Sequence, residues 1–214
     1  MGHLAPWRRR RQTVVGPGAR AGALGEYREV VEQRTVPWRG LVRDIPDFPA
    51  PGVLFKDITP VLADPGAFSA AVDELVAWSL GRGVDFVVGI EARGFILAAP
   101  IAYRLGAGFV PVRKAGKLPW AVEQEGYSLE YGADRLEIHA DGLPPASRVL
   151  VVDDVLATGG TASATVRLVE RLGAEVVGLG FVIELGFLAG RTRLAGRDVH
   201  SLIAYPATPE VDRT

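Results

Sequence analysis

The chain has 214 residues, enough for one domain with a sizeable core, and its 24 Lys and Arg nearly cancel its 25 Asp and Glu. That balance excludes a global field that would draw in nucleic acid or anionic lipid. The lack of cysteine excludes disulfides, thiolate chemistry and Cys-based zinc sites, and fits a reducing, cytoplasmic setting. No apolar run reaches the length of a membrane span: the greasiest stretch, 174–185, is broken by Glu175, Gly178, Gly180 and Glu184.

Residues 1–22 hold the basic run Arg8-Arg9-Arg10-Arg11 and a Gly- and Ala-rich stretch with little to pack. They read as a disordered extension, with a single domain over 23–214. Leu24, Tyr27, Val30 and Val31 share one helical face, so 23–34 reads as a short amphipathic helix. Residues 44–52 are too proline-rich for a helix or a central strand, and 54–60 continue as extended or looped chain. Asp64-Pro65 has the form of an N-cap followed by proline at the first helical position. Phe68, Ala71, Val72, Leu75 and Val76 then give the stripe of a helix ending near Gly81 or Gly83.

Residues 84–90 read as a strand, Glu91-Ala92-Arg93-Gly94 as a turn, and 95–105 as a helix. A strand over 108–112 leads into Arg113, Lys114 and Lys117. From Trp120 to Asp134 no clean period appears, and Glu123, Gln124, Glu125 and Gly126 suggest an exposed, mobile connection. Leu136-Glu137-Ile138-His139 alternates as a half-exposed strand would. Strands over 175–183 and 199–205 flank a short turn or helix at 186–195. Strands alternating with helices predict a mostly parallel sheet covered on both faces, with ligands at the strands' C-terminal ends.

The most informative stretch is Arg148-Val149-Leu150-Val151-Val152-Asp153-Asp154-Val155-Leu156-Ala157-Thr158-Gly159-Gly160-Thr161-Ala162. A buried apolar strand ends on two carboxylates, a loop of small residues follows, and helical spacing resumes with Ala162, Thr165, Val166, Val169 and Leu172. A Gly-Gly turn before a helix N-terminus lets backbone amides close around one phosphate. Beside an anion site the two acids must meet something else, either Mg²⁺ or vicinal sugar hydroxyls. A phosphate with a diol nearby describes a ribose 5-phosphate. No Gly-Lys-Ser/Thr follows the glycines, which excludes a Walker A loop. Arg113, Lys114 and Lys117 suit a pyrophosphate clamp. His3, His139 and His200 form no metal set, and Ser128 lacks the surroundings of a serine nucleophile.

This segment resembles the phosphoribosyl pyrophosphate-binding motif of the type I phosphoribosyltransferases. Asp47-Phe48-Pro49-Ala50-Pro51-Gly52-Val53-Leu54-Phe55-Lys56-Asp57-Ile58, Gly89-Ile90-Glu91-Ala92-Arg93-Gly94-Phe95, Arg113-Lys114-Ala115-Gly116-Lys117-Leu118-Pro119 and Tyr127-Ser128-Leu129-Glu130-Tyr131-Gly132 extend the likeness over about 24–205, toward the family's adenine-specific branch. The resemblance implies an α/β fold with a mostly parallel central sheet flanked by helices, a small N-terminal hood and a mobile active-site loop. It implies that adenine and phosphoribosyl pyrophosphate give AMP and pyrophosphate, with Mg²⁺ carried by the pyrophosphate ligand rather than by protein groups.

By the same resemblance Asp153 and Asp154 face the ribose hydroxyls, and Ala157, Thr158, Gly159, Gly160 and Thr161 hold the 5′-phosphate. Arg113, Lys114, Lys117 and the turn of Glu91, Ala92 and Arg93, cis without proline, surround pyrophosphate. Phe55 stacks on the purine, Leu54 and Lys56 offer backbone groups to its edge, and Glu130 meets N7 as the catalytic group. The resemblance implies a homodimer, with no nucleic-acid or membrane partner. Trp120 and Ala133 depart from the family's usual glycine and threonine. Two alternatives stay open: transfer to another purine base, or a regulator that senses phosphoribosyl pyrophosphate on this fold.

Overall fold

A computed structural model describes residues 38–129 and 132–206; the expected extension at 1–22 and helix at 23–34 lie outside them. A 3₁₀ turn, Trp38–Leu41, leads into strand β1 (Arg43–Ile45), which pairs antiparallel with β2 (Phe55–Asp57) in a small two-stranded sheet. This is the expected hood. Asp57 is its buried stitch, accepting from the Arg43 guanidinium and from the amide and hydroxyl of Thr59. Helix α1 (Thr59–Ala63) forms where extended chain was expected, with Pro60 in its first turn, where a missing N–H costs nothing. Helix α2 (Pro65–Ser79) starts as its sequence requires: the Asp64 side chain accepts the Ala67 amide at 2.8 Å.

The main sheet contains β3 (Phe86–Ile90), β4 (Gly108–Lys114), β5 (Val122–Leu129), β6 (Gly132–His139), β7 (Arg148–Leu156), β8 (Glu175–Leu185) and β9 (Val199–Tyr205), in the order β5-β6-β4-β3-β7-β8-β9. From β4 across to β9 all neighbours are parallel, while β6 runs antiparallel to β4 and to β5. Helix α3 (Arg93–Leu105) follows β3, and α4 (Gly160–Arg171) follows β7. The side chains of β7 show why the run is continuously apolar. Val149 and Val151 join the cluster under α4, whereas Leu150 and Val152 join the cluster under α2 and α3. A strand covered on both faces has no polar side to declare.

Four readings need correction. Residues 122–129 and 132–134 are not an irregular connection: β5 pairs with β6 from Val122↔His139 to Leu129↔Gly132. Glu125 is tied to Arg167 at 2.6 Å and also to Arg171, so charge on α4 holds a strand whose own sequence is poor in β-formers. Strand β7 does not stop at its acids but runs on to Leu156, and β4 includes Arg113 and Lys114. Finally, Glu137 is not on the open side of a half-exposed strand; it is 1% exposed.

Candidate active site

The C-terminal ends of β3, β4 and β7 open into one cavity of about 370 Å³. Its lining includes the expected Glu91, Ala92, Arg93, Lys114, Asp153, Asp154 and Thr161, joined by Tyr127, Leu136 and Val155, which sequence reasoning missed. Residues that are distant in the chain meet here because neighbouring parallel strands end side by side. The Glu91–Ala92 peptide is cis, as the resemblance implied.

Asp153 and Asp154 sit in the last part of β7, between the parallel neighbours β3 and β8. Burial and the adjacent Asp154 charge push the Asp153 carboxyl well above the usual carboxylate range. The Asp154 carboxylate accepts from Arg93 Nε. Arg93 also lies over the Phe55 ring, 5.4 Å from its centroid, and Phe48 meets Phe55 edge-on at 5.2 Å. One guanidinium therefore joins the aromatic pair of the hood to the acids of the main sheet. Leu54 is exposed beside Phe55, while Lys56 pairs with Asp44 at 2.6 Å and lies over Tyr205.

The small-residue loop of Ala157, Thr158 and Gly159 leads into α4, whose first turn contains Gly160 and Thr161. Gly159 has φ +77°, and a Cβ there would stand 2.4 Å from the Gly190 carbonyl oxygen. A Cβ on Gly190 would stand 2.1 Å from the Ala157 carbonyl oxygen. The loop is thus pressed backbone to backbone against the 3₁₀ turn Gly190–Leu194. That turn is pinned by Arg191, which donates Nε to the buried Glu184 carboxylate at 2.9 Å. The Arg191 contact and the Ser201 hydroxyl hold Glu184 below its ordinary pKa. Gly190 and Glu184 escaped the sequence reading because their importance lies in a contact between distant segments.

The cationic turn follows the end of β4. Glu91 accepts the Lys114 amide at 2.9 Å, pairs with Lys117 Nζ, and lies 3.4 Å from Arg113 Nε. Burial raises its carboxyl pKa, but these donors outweigh burial and hold it low. Lys114 Nζ pairs with Asp134 at 3.2 Å, and the Tyr127 hydroxyl donates to the same carboxylate at 3.2 Å. Burial and the Asp134 charge push the Tyr127 phenol up, so it remains a donor near neutrality. Glu130, the expected catalytic group, lies outside the described residues.

Residues 62–199 match the phosphoribosyl transferase domain family. The chain belongs to the phosphoribosyltransferase family. Within it, the chain is similar to the adenine phosphoribosyltransferase of Thermobifida fusca (strain YX), 60% identical over 75% of this chain and 92% of that protein. Among solved structures, the adenine phosphoribosyltransferase of Thermoanaerobacter pseudethanolicus superposes with a TM-score of 0.77 at 50% identity, covering 82% of this chain and 99% of that one. The Saccharomyces cerevisiae enzyme, complexed with an imino-altritol bisphosphate and adenine, gives 0.75 at 39% identity over 80% and 99% of the two chains. No helix among the described residues is long and apolar enough to cross a membrane.

Proposed function

We propose that this chain acts in purine salvage, transferring the phosphoribosyl group of 5-phosphoribosyl 1-pyrophosphate to adenine with release of AMP and pyrophosphate. The observation that supports this reading is one cavity lined together by the β7 acids Asp153 and Asp154, by Thr161 in the first turn of α4, and by Lys114 at the end of β4. A ligand with phosphate at one end, a diol in the middle and pyrophosphate at the anomeric carbon matches that sequence of surfaces. The relatives in adenine phosphoribosyltransferases supply the base.

The chemistry follows from charge. As pyrophosphate leaves, positive charge builds on the ribose and negative charge on the leaving group. Lys114, Lys117 and Arg113 stabilise the latter, and the amides of Gly159, Gly160 and Thr161 hold the 5′-phosphate at the start of α4. Asp153 and Asp154 receive the 2′- and 3′-hydroxyls and fix the ring. Phe55 stacks on adenine, with Leu54 and Lys56 presenting backbone groups to its edge. Glu130 contacts N7: in the tautomer with its proton on N7, the N9 lone pair attacks the anomeric carbon as the bond to pyrophosphate breaks, and the Glu130 carboxylate takes the N7 proton or holds it in a strong hydrogen bond.

Mg²⁺ suits this donor set: Asp153 and Asp154 are hard carboxylate groups at the cavity wall, though two are too few for an all-protein cage. The cation would be carried by pyrophosphate, where it would neutralise leaving-group charge. The active form is a cytoplasmic homodimer whose domain spans 23–214, with 1–22 dispensable.

A panel of adenine, hypoxanthine, guanine and xanthine, followed by pyrophosphate release, tests the assignment. Adenine is expected to be turned over far faster than the other three. Preference for a different base, or no release with any, overturns it.

A further inference from the structure

The buried carboxylate of Glu137 is outside the set that would touch substrate, yet it organises residues that would. It lies on β6 opposite Arg113 of β4 and is 1% exposed. Its Oε1 accepts the amides of Lys117 at 2.8 Å and Leu118 at 2.7 Å, and its Oε2 accepts the Gly116 amide at 3.0 Å. Gln124 Nε2 completes the set at 3.4 Å. Burial pushes this carboxyl up, but the amides outweigh burial and keep it ionised near neutrality.

A buried carboxylate is costly unless donors converge on it, and this turn supplies them. The converse need is as strong. Arg113, Lys114 and Lys117 crowd three cations into one short stretch, and residues 115–118 belong to no helix or strand that would fix their path. A negative charge beneath the turn offsets their repulsion while its hydrogen bonds set the backbone. Glu91 differs, because it takes the cationic side chains themselves and lines the cavity. An incoming anion competes with Glu91, whereas the bonds of Glu137 in this turn go to backbone amides.

We propose that Glu137 is a positioning residue for the leaving group: its carboxylate shapes the 115–118 turn so that the neighbouring cations converge on pyrophosphate. The inference rests on the pyrophosphate reading of that turn. In Glu137→Gln one acceptor oxygen becomes an NH₂ group, which sets donor against donor at the Gly116 amide or at Lys117 and Leu118.

Titration calorimetry on the full chain, with magnesium pyrophosphate as one probe and AMP as the other, separates the two ends of the site. The variant is expected to lose roughly 10- to 100-fold in pyrophosphate affinity while AMP affinity holds. In turnover, the KM for phosphoribosyl pyrophosphate rises and that for adenine does not. Unchanged pyrophosphate affinity overturns the proposal, and so does an equal loss for both probes, which marks a merely structural role. Failure of the wild type to bind pyrophosphate defeats the functional reading instead. Should Glu137→Gln not fold, Gly116→Ala decides. Gly116 has φ +84° with open space around it, so alanine strains the same turn from the solvent side. A selective but smaller loss of pyrophosphate affinity is expected there, and none overturns the inference.

Discussion

The two walls of the cavity are built by different physics. On one side, β7 lies between parallel neighbours with apolar side chains buried on both faces, and the loop after it rests backbone to backbone on Gly190. On the other side, Val112, Leu136 and Ile138 of β4 and β6 share that core, but a dense set of charges is added: Glu91, Glu137 and Asp134 organise the cations, and Glu125 ties β5 to Arg167 and Arg171. Ion pairs are screened by salt and titrate with pH, whereas apolar packing has no charge to screen or titrate. Both walls carry charge, but the β4–β6 wall carries more exposed ion pairs and is the more adjustable of the two by solution conditions.

The largest expected effect concerns Glu130, which follows Leu129 in the sequence. Glu130→Gln is expected to lower turnover by roughly 10²–10⁴. Binding of phosphoribosyl pyrophosphate changes little, because that ligand has no N7. Wild type discriminates against 7-deazaadenine and the variant does so much less, since the shared contact is already gone. Equal discrimination by both would detach Glu130 from N7.

The β7 wall contains a buried carboxyl with a raised pKa, and replacing it separates function from stability. Asp153→Asn deletes a carboxylate assigned to a ribose hydroxyl, so the KM for phosphoribosyl pyrophosphate rises by about 10- to 100-fold, for a bond worth about 1.5–3 kcal/mol. Stability moves the other way. Burial and Asp154 raise the Asp153 pKa in the folded state, so wild-type stability is favoured in acid and declines as pH rises through the folded pKa. Asparagine does not titrate. Melting curves are expected to show the variant gaining on wild type from acid toward neutral pH; a constant difference would remove the charge from the account.

The smallest effect tests the adjustable wall at its base. Glu125→Gln breaks the ties to Arg167 and Arg171, each partly exposed and worth about 0.2–1 kcal/mol. The Arg167 contact holds the Glu125 pKa low, so its contribution is present near neutrality and is lost as pH falls through the folded pKa. The melting difference between variant and wild type should shrink in acid and in high salt. A difference that survives both would mean that packing, not charge, secures β5.

The sequence alone determined most of the β7–α4 wall, because every part of it is local: an apolar strand, two acids, glycines and a helix in unbroken succession. The helix start at Asp64-Pro65 was legible for the same reason, since a cap and its amide lie three residues apart. Resemblance added the adenine branch. Tertiary structure decided the rest. The β5–β6 pairing could not be read because Glu123, Gln124 and Glu125 look like solvated chain until the arginines of α4 stand beside them. Glu137 looked like the polar half of an alternating strand, because nothing in its neighbours shows that a turn from another strand folds its amides over it. Gly190 looked like one more loop glycine until the phosphate loop was laid against its backbone. Local patterning is written in consecutive residues, whereas the partners of a buried charge or a close backbone contact are chosen only when the sheet brings distant segments together.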